Sequence, residues 1–534
     1  MKRRDGQINR VVAYIIVFLC LSAAVAARGS SGLNKTDHSR GLPSVETLVA
    51  NYWKAIGGKR RLAAIKDASF SWTIELQTQK LGVAKTVTKA PGSARSELTF
   101  GNGQLVSAAT SRSVWELGLN GELRTLTGPE ASTLKLMALL GASYLIDYKK
   151  DNVAARVISF QTPSQQEIQV EFSTRGGART IYSFDRNTSL ITTVEDGLRH
   201  TKILLFDYRP EGGLLQPHRV EVDLTGTGRL SLVLQQVNYN SGVSNSFFDP
   251  PAGSESLDIA ALLREVVKNQ DEVEKHFTEY SVLQEETDRE ISSRGEIKKE
   301  QTKVFEVFPI AHRQPILKLI SENGVPLSPA RAAKEEQRVQ EEFLKAERDR
   351  DKDEKREQHR RDEQRRKRAA KGNNSEDELQ ISQFLKVCEF VSPRRERFRD
   401  RDAIVFDFRA RAGFKPGNRQ EDLISKLVGI VWIDPFDKQL MRLEAKLAEG
   451  FKMAGGLLLS VRPGAALVVE QIRIDEGIWL PLLAQINLSV KVLLFGGGDV
   501  NKSIEWSNYR HFSGTVNDYK LNAPKEALSP NKKL

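Results

Sequence analysis

Apolar positions between residues 44 and 252 follow first one period and then another. After Ser44, which reads as an N-cap, Val45, Leu48, Val49, Tyr52 and Ile56 recur at helical spacing, and "IGGKRRL" ends that helix with glycines. From Phe70 the period falls to two: Phe70, Trp72, Ile74 and Leu76 alternate with polar residues, as in a half-buried strand. "SVWELGL", "RVISF", "EIQVEF", "TIYSF", "LITTV", "KILLFDY", "HRVEVDL" and "LSLVLQQV" continue the pattern, with turn signals at Asn120-Gly121 and Gly212-Gly213. "PEASTLKLMALLGASYLIDY" interrupts it as a helix opened by Pro129. Leu134, Leu136, Met137, Leu139, Leu140 and Leu145 make that helix apolar on most sides, which suits either a plug or simple burial.

The pattern then restarts. Ser256 is the expected cap of a helix with Ile259, Leu262, Leu263 and Val266 on one face, and strand-like segments run from "EYSVLQEE" to "AQINLSVKVLLF". Three local matches identify a repeat. "YSFDRNTSLI" parallels "VWIDPFDKQLMRL", each a strand, an Asp-containing turn and a strand. "EGGLLQP" parallels "EGIWLP", with Gly213 to Pro217 and Gly477 to Pro481 equally spaced. Alternating apolar residues follow both prolines: Val220, Val222 and Leu224, then Ile486, Leu488 and Val490. The division expected is 1–27 signal peptide, 28–43 linker, 44–252 first domain, 256–515 second domain with a helical insertion at 329–378, and 516–534 tail.

The two copies differ in one slot. Asn120-Gly121 leads to Pro129 and the apolar helix, whereas Asn323-Gly324 leads to Pro329 and a charged run. Residues 334–371 hold 15 basic and 12 acidic residues, and no apolar residue larger than alanine after Leu344. That excludes a coiled coil. Acid-before-base pairs such as Glu341–Lys345 and Glu357–Arg361 favour a solvated helix by roughly 0.2–0.5 kcal/mol each. Lys355, Arg356, Arg360, Arg361, Arg365, Arg366, Lys367 and Arg368 make its second half the candidate contact for an anionic membrane surface or an acidic envelope partner.

At 534 residues the chain is long enough for two or three domains, and its net charge of +11 points to acidic partners. Compartment narrows the choice. Lys2, Arg3, Arg4 and Arg10 precede an apolar Val11–Val25 stretch and the small residues Ala24-Val25-Ala26, the layout of an export signal. The alternative is an uncleaved anchor in the inner membrane. Export and the lack of aromatics among the basic residues argue against nucleic acid. Cleavage would leave Cys388 as the single cysteine, so no internal disulfide is expected and the thiol reads as buried and inert.

No common catalytic constellation is present: no H-E-x-x-H, no Gly-x-Ser-x-Gly and no phosphate-binding loop. The seven histidines are scattered, so neither metal nor cofactor is expected. Asp185, Asp434 and Asp437 fall in turns where Asp closes Asx-turns, and "FGGGD" reads as a hairpin turn.

"YWKAIGGKRRLAAI", the "FDR" hairpin, "GGLLQP" and "FFDPP" together resemble the lipoprotein-carrier (LolA-like) proteins and their lipoprotein-sorting relatives of bacterial envelopes. The resemblance implies an α+β fold: two tandem, strongly curved antiparallel sheets, incomplete β-barrels, each with an N-terminal helix and a helical plug or insertion. It further implies a non-enzymatic periplasmic protein holding lipid or lipoprotein acyl chains. Phe70, Trp72, Trp115, Tyr182 and Phe184 would line the concave wall of the first unit, with Trp432 and Trp479 as candidates in the second. Alternation alone does not separate such a wall from ordinary core. The competing reading is a structural envelope protein that uses the charged helix as its contact surface.

Overall fold

The computed structural model describes residues 43–159, 166–198, 201–224, 228–253, 257–291, 297–310, 314–371, 383–453, 459–461, 464–492 and 496–512. For 159, 223–224, 228, 271, 274, 350–371 (His359 apart), 451–453, 459–460, 489–492 and 496–499 it describes the backbone alone. The expected signal peptide, Ser256 and the tail lie outside the described residues.

The first unit opens with α1 (Val45–Ala55) and α2 (Lys59–Ala63). Six strands follow: β1 (Asp67–Leu76), β2 (Gln79–Lys89), β3 (Ser93–Phe100), β4 (Gly103–Ala109), β5 (Val114–Leu117) and β6 (Leu123–Thr125). After α3 (Gly128–Ala142) come β7 (Ala154–Ser159), β8 (Glu167–Ser173), β9 (Arg179–Asp185), β10 (Ile191–Asp196), β11 (Lys202–Glu211), β12 (Leu214–Leu224) and β13 (Gly228–Tyr239). Ser44 caps α1 as expected, its Oγ accepting the Thr47 N–H at 3.2 Å. Gly57, at φ +118°, lets the chain leave α1 where a Cβ would stand 2.7 Å from Leu214 Cδ2. Arg61 Nη1 donates to Gly213 O at 2.9 Å, so the "GGKRR" and "GGLLQP" segments are bonded to each other.

The strands form one open antiparallel sheet in the order β6-β5-β4-β3-β2-β1-β13-β12-β11-β10-β9-β8-β7. α3 packs against both β3 and β9, seven strand positions apart. Laid flat, those strands would be roughly 34 Å apart, while a 15-residue helix is only about 22 Å long. The sheet therefore curls around the helix. α3 is buried through Leu134, Leu136, Met137 and Leu140, and it shares one core cluster with Val49 and Tyr52 of α1.

The second unit begins with α4 (Ile259–Phe277), capped by Asp258, whose Oδ1 accepts the Ala261 N–H at 3.0 Å. The cap thus falls two residues after the serine expected to supply it. Next come β14 (Tyr280–Ile291), β15 (Ile297–Phe308), β16 (Ile316–Glu322), β17 (Val325–Pro326) and the 43-residue α5 (Pro329–Lys371). The remainder is β18 (Cys388–Phe398), β19 (Arg401–Ala410), α6 (Arg419–Ser425), β20 (Leu427–Ile433), β21 (Leu440–Leu447), β22 (Phe451–Met453), β23 (Leu459–Val461), β24 (Ala466–Asp475), β25 (Ile478–Val492) and β26 (Gly496–His511). Gly496 to Asp499 belong to β26 and pair with β25, rather than forming the turn expected of "FGGGD".

The second sheet runs β17-β16-β15-β14-β26-β25-β24-β21-β20-β19-β18, with β22–β23 attached through β25. Eleven strands match eleven of the first sheet in the same order, from β4 against β17 to β7 against β18. The repeat read from three short motifs is a repeat of topology, and α5 occupies the chain position of α3. By compactness, Ile291–Ile297 and Val391–Asp400 group with the first unit instead of the second. Within that first unit Glu396 accepts the Thr125 N–H at 2.7 Å and pairs with buried Arg394 at 2.5 Å.

Candidate functional site

Phe70, Trp72, Tyr182 and Phe184 lie in the single core of the first unit together with α1 and α3. Phe70 stacks on Trp72 at 6.0 Å, Tyr182 meets Phe172 edge-on at 5.2 Å, and Phe184 meets Tyr52 at 6.0 Å. Trp72 Nε1 donates to Thr86 Oγ1 at 3.0 Å. These four aromatics share one core, and their rings are covered by the protein itself. Trp115 goes elsewhere. It clusters with Val106 and Ala108, positions that alternate with core-facing Leu105 and Ala109, so it occupies the opposite face. There its Nε1 donates to Phe248 O at 3.0 Å, and Arg95 lies over its ring at 5.5 Å while donating to Phe247 O. Trp115 clasps the "FFDPP" segment.

Trp432 and Trp479 are also buried. Trp432 alternates with Val431 and Ile433 of the second core and shares the other face with Arg442 and Glu470. Trp479 Nε1 donates to Asp437 Oδ2 at 2.9 Å, and Arg401 stands 5.5 Å from its ring. Arg401 pairs with Asp434 at 2.6 Å and Arg473 with Asp437 at 3.0 Å. Asp434 and Asp185 close Asx-turns, as their sequence context suggests. Among the described residues no group of three or more His, Cys, Asp or Glu could hold a metal ion. Lys355, Arg356, Arg360, Arg361, Arg365, Arg366, Lys367 and Arg368 lie on the helical backbone of α5; their side chains are outside the described part.

The feature that sequence reasoning missed is a stripe on the helix-bearing face of the second sheet. Cross-strand partners share a face, and two adjacent rows can be followed across six strands. One runs Phe406, Val431, Leu443, Val469, Ala484, Ile504. The other runs Phe408, Gly429, Ala445, Leu467, Ile486, Lys502. At the β19–β21 end these rows join Ile259, Leu262 and Val266 of α4 in the core. At the β24–β26 end the cover stops: Leu467 is 38% exposed, Ile486 40%, and Val500, opposite Leu488, 46%.

The first unit shows what cover would do. Five residues after Pro217 stands Val222, between Ile203 and Leu230; five after Pro481 stands Ile486, between Leu467 and Lys502. Val222 is 0% and Ile203 1% exposed, both in the core that includes α3. In the second unit the described packing of that slot's helix is on β16, the counterpart of β3. Val339 and Phe343 of α5 bury against Phe308, Ile316 and Phe512, and Lys318–Glu336 at 2.7 Å fixes α5 to β16. A charged helix cannot cover an apolar stripe without burying unpaired charge. The signal available was the missing apolar plug beside an intact Ile486/Leu488 alternation.

No family profile matches the chain, and no curated protein does. Among solved structures it is similar to a DUF1329 family protein from Desulfovibrio piger, at 12% identity and a TM-score of 0.28, over 38% of this chain and 97% of that one. A LolA superfamily protein from Nitrosomonas europaea gives 9% identity and a TM-score of 0.28, over 39% and 99%. MucB gives 12% identity and a TM-score of 0.14, over 48% and 75%.

Proposed function

We propose that the protein is a non-enzymatic binding or carrier protein of the cell envelope, exported to the periplasm, which holds lipid-like or lipoprotein acyl chains on its second unit. The observation that carries this reading is the contrast between Val222 of β12, sealed in the first core, and Ile486 of the matching strand β25, which is open. An acyl chain laid along Leu467, Ile486 and Val500 would gain about 0.8 kcal/mol per buried CH₂. The first unit, filled by its own α3, is the scaffold of this pair. The N-terminal Lys/Arg cluster and apolar stretch support export.

Native mass spectrometry of the protein purified from a membrane-containing extract tests the reading. Co-purifying species with the mass of lipids or lipidated peptides, released by organic solvent, are expected. A protein that emerges empty and takes up no lipid from vesicles would overturn it.

A second reading is favoured by α5, whose described packing uses Val339, Phe343 and Ala346 in its first half. The basic stretch from Lys355 to Arg368 would then be a contact surface for an acidic envelope partner or anionic lipid. Removal of residues 350–371 would abolish that association and leave the folded protein intact.

A further inference from the structure

The open stripe meets a charge at β26, and that charge is held in place. In one row Leu467 and Ile486 lead to Lys502 and then to Asp288 of β14; in the next, Val469, Ala484 and Ile504 lead to Glu286. Cross-strand partners share a face, so Lys502, Glu286 and Asp288 stand on the same side as Leu467 and Ile486. Lys502 Nζ donates to Glu286 Oε2 at 2.6 Å, Gln284 Nε2 to Glu286 Oε1 at 2.7 Å, and Trp506 Nε1 to Gln284 Oε1 at 2.8 Å. Phe277, the last residue of α4, meets the Trp506 ring edge-on at 6.4 Å. Both Glu286 oxygens are therefore bonded, and the Lys502 ammonium ends a line of ordered side chains that starts at the covering helix.

Asp288 is the direct cross-strand partner of Lys502, yet Lys502 pairs with Glu286, and exposed Asp288 has no hydrogen bond or ion pair among the described residues. Glu286 takes one of the three N–H donors of the ammonium and leaves two for a ligand. An anion placed there alone would face two carboxylates, and a cation alone would face the ammonium. A head group that carries both charges meets each with its opposite. We propose that the lipid held on the stripe has a zwitterionic head, a phosphate joined through two carbons to a primary amine, with the phosphate on Lys502 and the ammonium on Asp288. Directly opposed residues have Cβ atoms about 4.5–5.5 Å apart, a spacing that suits a two-carbon link. The proposal rests on the acyl-holding reading and names the class of lipid: Leu467, Ile486 and Val500 take the chain, and the β14–β26 pair selects the head.

The test titrates the full chain by calorimetry with lysophosphatidylethanolamine, lysophosphatidylglycerol and a fatty acid, all with the same acyl chain and all below their micelle concentrations. The native chain is expected to bind lysophosphatidylethanolamine roughly tenfold more tightly than the other two. Asp288 is exposed, so its replacement costs little stability. Asp288→Asn should remove the preference by weakening lysophosphatidylethanolamine alone, and Asp288→Lys should turn it towards lysophosphatidylglycerol. Glu285→Gln, on the opposite face of β14, should change neither affinity. Equal binding of the two lysolipids by the native chain, or a preference that survives both Asp288 variants, would overturn the proposal and leave the acyl-holding function standing. A native chain that binds none of the three would overturn the acyl-holding reading, and this proposal with it.

Discussion

Asp185 and Asp434 close the same turn in the two units. Asp185 Oδ1 accepts the N–H groups of Asn187 and Thr188 at 3.0 and 2.7 Å; Asp434 Oδ1 accepts those of Phe436 and Asp437 at 2.9 and 2.8 Å. Each also donates its own N–H to the carbonyl five residues on, Leu190 or Gln439, and places a left-handed residue, Ser189 or Lys438, just before it. The environments differ. Asp434 is fully buried and bound by Arg401, while Asp185 remains partly open to water.

That difference predicts unequal costs. Asp185→Ala should destabilise by about 1 kcal/mol, the loss of a solvated turn acceptor. Asp434→Ala should cost roughly 2–3 kcal/mol, because two turn N–H groups lose their acceptor and Arg401 loses the nearer of its two carboxylates, Asp437 remaining at 3.7 Å. Asp434→Asn, which keeps the turn acceptor and loses the charge, should fall between. Urea denaturation read by tryptophan fluorescence would order the three.

Val222 and Ile486 give a second pair of expectations. Val222→Asp buries a carboxylate in the first core and should unfold the protein or cost several kcal/mol. Ile486→Asp changes an exposed site and should shift stability by less than about 0.5 kcal/mol, yet abolish acyl binding. Circular dichroism melts and a fluorescent fatty-acid titration on both variants separate the effects.

Glu306 makes a pH prediction. Burial raises its pKa above the usual 4.5, against the opposing pull of Lys318 and Arg510, and Glu336 adds to the rise. The folded state therefore binds this proton more tightly than the unfolded one. The associated stability is complete below the unfolded value and is lost as pH rises through the folded value. Glu306→Gln should raise stability at neutral pH and flatten that part of the pH profile, as measured by urea midpoints across acid to neutral pH.

Cys388 is buried, and burial pushes its thiol up to about 12. At pH 8 it should react with a disulfide reagent only at the rate of local or global unfolding, and rapidly once urea is added. Prompt reaction in native buffer would contradict this burial.

What the sequence disclosed depended on side-chain size. Strands with large alternating residues, such as β1 and β8 to β13, were legible, and so were both turn motifs. β2, β3 and β4 were not, because they face the core with Ala84, Thr86, Ala94, Ser96 and Ser107, small or hydroxylated residues that carry no apolar period. Alternation says that two faces exist and not which one is covered, so it does not separate Trp115 and Trp432 from residues of a concave wall. The open stripe was hidden for the same reason: Ile486 and Val222 sit in matching patterns, and only the identity of the helix beside them sets their fate.

The central claim is that acyl chains are held on the second unit at Leu467, Ile486 and Val500. Photolabelling with a diazirine-bearing fatty acid, followed by peptide mapping, tests it most directly. Crosslinks concentrated in the peptides of β24, β25 and β26, and lost in Ile486→Asp, are the predicted result. Crosslinks concentrated around Phe70, Trp72 and Tyr182 in the first unit, or none above a denatured control, would contradict it.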